Sequence, residues 1–175
     1  MKYVALLRGI NVGGNTMIKM ETLRATFSSL GFENVKSYIN SGNLAFDTAK
    51  SDDGKLAKKI REAIKKDFGK EISIMVRSIA EIEEIIANNP YDGRFDNDKD
   101  MHVFFLETEL SPENRQLLLD QNSDSELISV NGRTIYYLLG ISIVDSVLGK
   151  GFIDKKLKIS ATARNWRTVK KLAEL

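Results

Sequence analysis

Two short glycine-bearing segments hold the side chains best suited to bind an anion. The first runs Arg8-Gly9-Ile10-Asn11-Val12-Gly13-Gly14-Asn15, the second Asn40-Ser41-Gly42-Asn43. Glycine reaches positive φ at little cost, so successive N–H groups in such a segment can converge on one point as an anion nest. Arg8 or Lys19 would add full charge, and a helix starting near Met20 would add its dipole. The set suits a phosphate, a carboxylate or a nucleic-acid backbone. The named phosphate motifs are absent, since there is neither G-x-G-x-x-G nor G-x-x-x-x-G-K-[ST]. Gly13 and Gly14 also have a plainer use, the relief of a tight strand-to-helix turn.

Other chemistry-bearing residues are weaker candidates. A helix is expected over 162–174, with Trp166, Val169, Leu172 and Ala173 on an inner arc and Arg164, Arg167, Lys170 and Lys171 outside. Arg164 and Arg167 would lend outer charge to a ligand, and Trp166 reads as a core plug. Asn165 falls on the apolar side and is expected to bond backbone from another segment, locking the helix. His102 alternates with Met101 and Val103 in a strand, where a satisfied structural histidine is expected. There is no G-x-S-x-G elbow for it to serve. Asp92, Asp96, Asp98 and Asp100 have alternate spacing, but Gly93 is misplaced for a calcium loop and no glutamate closes one.

The elements that position these residues follow from apolar spacing and turn signals. Residues 2–7 read as a buried strand. A helix carries Met20, Leu23, Phe27 and Leu30 and stops at Gly31, and strands at 35–39 and 44–46 flank the second glycine segment. A second helix carries Leu56, Ile60, Ala63 and Ile64 and ends at Gly69, before a strand at 72–76. The order is β-α-β-β-α-β, a ferredoxin-like unit spanning 1–77. In that topology the loop leaving strand one and the turn between strands two and three share one end of the sheet, which brings Arg8–Asn15 to Asn40–Asn43. Residues 78–175 are expected to form a second, incomplete α/β unit with C-terminal helices at 142–149 and 162–174. No linker separates the halves, so the expectation is an α+β chain packed as one globule.

Composition narrows the function. Of 175 residues, 42% are apolar and 29% charged, the balance of a globular protein. The absence of cysteine excludes disulfides, thiol nucleophiles and iron–sulfur clusters, and a single histidine excludes a multi-histidine metal site. No cofactor motif is present. The apolar run after Met1 is too short for a signal peptide and no stretch is long enough for a membrane span, so a cytoplasmic setting is expected. The net charge of +2 hides an asymmetry: residues 81–126 hold 13 acidic and 3 basic side chains, whereas both ends are basic. Such polarity can steer an anion or align two subunits, though charge runs are commonly plain solvated faces.

Arg8-Gly9-Ile10-Asn11-Val12-Gly13-Gly14, with Met20 and Leu23, Tyr38-Ile39-Asn40-Ser41-Gly42-Asn43, and Thr162-Ala163-Arg164-Asn165-Trp166-Arg167-Thr168 together resemble the bacterial family called domain of unknown function 1697. The resemblance implies a compact cytosolic α+β protein and brings no established activity, cofactor or catalytic residue. The glutamine usual in the family's hairpin motif stands here as Asn40. The reading from the residues is therefore a binding module for a phosphorylated small molecule or nucleic-acid backbone, with Arg8, Asn11, Gly13, Gly14, Lys19, Ser41, Asn43, Arg164 and Arg167 as ligand-binding candidates. The aromatic pattern of sequence-specific RNA-binding sheets is missing from strands one and three. Two rivals stay open: an enzyme on a small anionic metabolite, and an assembly protein forming a homodimer through its acidic middle and basic end.

Overall fold

The computed structural model describes residues 1–14 and 16–175; Asn15, at the end of the first glycine segment, lies outside the described residues. Among these, eight strands form two four-stranded antiparallel sheets in an α+β fold. Each sheet belongs to a compact unit, one comprising Met1–Glu84 with Lys171–Leu175, the other Ile85–Lys170.

In the first unit the elements are β1 (Lys2–Leu7), α1 (Met20–Ser29), β2 (Glu33–Tyr38), β3 (Asn43–Asp47), α2 (Asp53–Phe68) and β4 (Ile74–Ser78). The strands pair in the order β2-β3-β1-β4. Period-two alternation sends Tyr3, Ala5 and Leu7 of β1 into a core with Leu23 and Phe27 of α1 and Leu56, Ile60 and Ile64 of α2. Val4 and Leu6, on the opposite face, are equally buried, as are Ala45 and Met75. Burial on both faces is why β1 reads as an unbroken apolar run rather than an alternating one. The Asp52 carboxylate accepts from the Lys55 N–H at 2.9 Å to start α2, and the left-handed Gly69 ends it.

β4 runs directly into α3 (Ile79–Ala87) through a capping box: the Ser78 N–H donates to the Glu81 carboxylate at 2.8 Å, and the Glu81 N–H donates to Ser78 Oγ at 3.2 Å. The chain then continues with β5 (Met101–Leu106), α4 (Pro112–Leu119), β6 (Glu126–Asn131), β7 (Thr134–Leu139) and β8 (Ala161–Asn165) of the second unit, and with α5 (Trp166–Leu172), whose last two residues fall in the first. The strand order of the second unit, β6-β7-β5-β8, is the same permutation as in the first unit. The second unit thus has a four-stranded sheet but, among the described residues, no α-helix between β7 and β8, so it lacks one helix of the first unit's β-α-β-β-α-β order.

Two local expectations fail. Residues 161–165 form a strand where a helix was expected, because antiparallel pairing to β5, from His102↔Asn165 to Leu106↔Ala161, satisfies their backbone. Residues 142–149 form no α-helix; a short 3-10 turn at Ile143–Asp145 is followed by a π-helical segment, Ile153–Leu157. A Cβ on Gly149 would lie 1.6 Å from the Ile143 carbonyl oxygen, so this loop closes on itself only with glycine there. It contributes Leu148, Ile153 and Leu157 to the second core. No helix among the described residues is long and apolar enough to cross a membrane.

Candidate functional site

The two glycine segments meet as the topology requires. The Leu7 N–H donates to the Gly42 carbonyl at 2.8 Å, and Asn11 Nδ2 donates to the Asn40 carbonyl at 2.8 Å. Gly42 permits this approach, since a Cβ there would lie 2.7 Å from the Leu7 Cβ. Asn11 also closes its own loop: Oδ1 accepts from the Ile18 N–H at 2.7 Å and Nδ2 donates to the Ile18 carbonyl at 2.9 Å. Asn43 is fully buried and donates to the Tyr38 carbonyl and to Ser41 Oγ, each at 3.1 Å. Asn11, Ser41 and Asn43 thus build the edge from within.

Gly13, Gly14 and Lys19 stand on its outside. Gly13 and Gly14 have φ of +58° and +77°, and nothing lies within 4 Å of where either Cβ would sit. The backbone conformation alone calls for glycine, and an incoming group could approach it closely. Lys19 is exposed at the N-cap of α1, a position that serine or aspartate usually fills, and gives no side-chain cap. The first N–H groups of α1 are thereby left without a side-chain acceptor at that position. Among the described residues the Lys19 ammonium has no hydrogen-bond or ion-pair partner. Arg8 is half-buried, its N–H donating to the Ser73 carbonyl at 3.0 Å.

A cavity of about 420 Å³ opens at this edge, lined by Asn11, Met17, Ile18, Lys19, Met20 and Asn40. Met17, Ile18, Met20 and Asn40 were not among the sequence candidates. The available signal was two methionines flanking Lys19 just ahead of a helix. Val12, Met17 and Ile39 keep large apolar side chains exposed on the same two turns.

The arginines of the last segment belong to the second unit, and neither lines this cavity. Arg164 is buried in β8 rather than outward on a helix; its Nη1 donates to Thr162 Oγ1 and to the Ala163 carbonyl, each at 2.8 Å. Burial pulls its pKa down to about 10, which leaves it cationic at neutral pH. Arg167 is exposed and lines a different cavity, about 580 Å³, with Asp96, Asn97, Asp98, Lys99 and Asn165. Asn165 Oδ1 accepts from the Thr168 N–H at 3.0 Å, so its backbone partner lies in the first turn of α5 and not in another segment. Trp166 is buried, edge-on to Phe95. His102 departs from the satisfied histidine expected: its Nδ1 is buried without a hydrogen-bond partner among the described residues. Burial lowers its pKa, partly opposed by Asp100. Asp98 pairs with Lys170 at 3.0 Å, and no group of three or more metal-binding side chains forms among the described residues.

With this geometry in view, known proteins place the chain. A model of the family described as "Protein of unknown function (DUF1697)" matches residues 1–136. The chain belongs to that family. Both glycine segments of this family member fall within the matched residues, whereas residues 162–168 fall outside them. The structure of a conserved bacterial protein, SP0830 from Streptococcus pneumoniae, is similar with a TM-score of 0.77 and 25% identity, covering 99% of this chain and 97% of that one. No curated protein matches. Family and fold are settled by these likenesses; activity has to be argued from the site.

Proposed function

We propose that the chain is a binding module for a phosphate-bearing ligand, a nucleotide or nucleic acid, held at the glycine-rich edge of the first sheet. The observation that carries this reading is the 420 Å³ cavity whose wall joins the start of α1 to both glycine turns. Lys19 brings an ammonium without a partner among the described residues, and the adjacent helix start brings its dipole. Gly13 and Gly14 bring backbone open to close approach. Arg8 adds a second cation at the end of β1, while Asn11, Ser41 and Asn43 hold the turns in place. Arg167 lines the cavity of the second unit and is not among the residues of this wall.

The test is equilibrium binding of inorganic phosphate, nucleoside monophosphates and a short single-stranded oligonucleotide, together with native mass spectrometry of gently purified protein. Lys19→Ala is expected to weaken binding about tenfold, the worth of one charge-assisted contact, and Lys19→Arg to retain it. Because Lys19 is exposed, neither change should alter the melting temperature. A wild-type chain that binds none of these compounds at millimolar concentration overturns the reading.

A further inference from the structure

We infer that the glycine-edge site takes one phosphorylated nitrogen heterocycle, the size of a nucleoside monophosphate, rather than a nucleic-acid strand; this rests on the phosphate reading above and deepens it. The cavity, at about 420 Å³, falls in the range of small-molecule pockets, roughly 300–1,000 Å³. Its wall is largely apolar, built from Met17, Ile18 and Met20. Thioethers are the side chains that adapt to the edge and face of a flat ring. Met17 is 67% exposed at the mouth, and covering a ring would remove that apolar surface from water.

Asn40 supplies the polar half. Its backbone carbonyl is taken by Asn11, but its carboxamide is exposed and has no partner among the described residues. A carboxamide offers a donor and an acceptor side by side, the pair that matches adjacent ring-nitrogen and exocyclic groups on a nucleobase. Among the described residues Lys19 is the one cation on the wall, and with Arg8 at the end of β1 the edge holds two, enough for a single phosphate. A strand would call for a row of cations and for aromatic stacking platforms. Among the described residues the wall has no aromatic side chain. A nucleobase on the methionines, read by Asn40, with its phosphate toward Lys19, uses the apolar, amide and cationic groups of the wall together.

Calorimetric titration of the full chain with inorganic phosphate, each of the four common ribonucleoside 5′-monophosphates and a single-stranded octamer tests this. At least one monophosphate should bind ten times or more tighter than inorganic phosphate. Met17→Ala and Asn40→Ala should each reduce that advantage by about tenfold, the scale of one lost contact. Lys19→Ala should weaken phosphate and monophosphate alike. Unchanged melting temperatures would show that the Met17 and Asn40 variants remain folded, as their exposed side chains predict. If phosphate binds as tightly as every monophosphate, or only the octamer binds, this inference falls and the phosphate reading survives. If no phosphate-bearing compound binds, both fall.

Discussion

A β-branched residue seldom holds a positive φ, yet Ile39 holds one of +49° with its side chain 52% exposed. The conformation is imposed from both sides by the Leu7–Gly42, Asn11–Asn40 and Asn43–Tyr38 hydrogen bonds. Left-handed backbone costs such a residue about 1–2 kcal/mol, and an exposed side chain recovers little of it. Ile39→Asn, which tolerates this region, should therefore raise stability by about 1 kcal/mol. Thermal unfolding followed by circular dichroism should register a rise of about 2–4 °C for a chain of this size. A fall would mean that Ile39 makes a stabilising contact its exposure conceals. Asn11→Ala should behave oppositely to Lys19→Ala. It removes three hydrogen bonds, one to the Asn40 carbonyl that ties the turns together and two to Ile18 that close its own loop, costs about 2–3 kcal/mol, and lowers melting temperature and binding together.

At the scale of elements, α5 is too short to be stable by propensity and depends on how it starts. Asn165 starts it by accepting from the Thr168 N–H, so Asn165→Ala should cost about 1 kcal/mol and lower the melting temperature, with Asn165→Ser close to wild type. An unaltered Asn165→Ala protein would show that the buried face formed by Trp166, Val169 and Leu172 holds the helix alone. That face was legible from the spacing of its apolar residues, as were α1 and α2 with their glycine stops. The strand before it was not. Ala161-Thr162-Ala163-Arg164-Asn165 has neither apolar bulk nor clear alternation, and its conformation is decided by β5, more than 50 residues earlier in the chain. A parallel with the first unit appears only in the structure: Arg164 stands opposite Val103 as Arg77 stands opposite Val4, each followed by a residue that caps the next helix. The candidate site divides in the same way. That the two glycine turns would meet was legible, because topology assigns them to one end of the sheet. The inward roles of Asn11 and Asn43 were not, since an amide's partner is set by tertiary packing; for Asn11 it lies 29 residues away.

At the scale of the whole molecule, Tyr91, His102, Tyr136, Tyr137 and Arg164 are buried or half-buried groups within Ile85–Lys170 whose pKa values are displaced. Burial raises the pKa of Tyr136 and of Tyr137 to about 12, with the hydrogen bond to Glu126 adding to the shift of Tyr137. Burial raises Tyr91 too, against the opposing charge of Arg94, and lowers Arg164 to about 10. A raised tyrosine pKa means that the folded state keeps a proton the unfolded chain gives up, so that stability is lost as pH rises from about 10 through 12. Arg164 acts with the other sign: its contribution is full above its ordinary pKa and lost as pH falls through about 10. Three tyrosines against one arginine leave a net alkaline loss in the second unit. The chain's single tryptophan, Trp166, lies in that unit and reports it selectively. On titration from about pH 9 to about pH 12, tryptophan emission should therefore shift before most far-ultraviolet circular dichroism is lost, because α1, α2 and the first sheet hold none of these groups. Coincident transitions would refute independent loosening of the second unit. Tyr136→Phe removes one late-ionising hydroxyl, which donates to the Ile85 carbonyl at 2.8 Å, and should move the fluorescence midpoint to higher pH while lowering stability at neutral pH. A midpoint that stays in place would assign the alkaline transition to groups other than Tyr136.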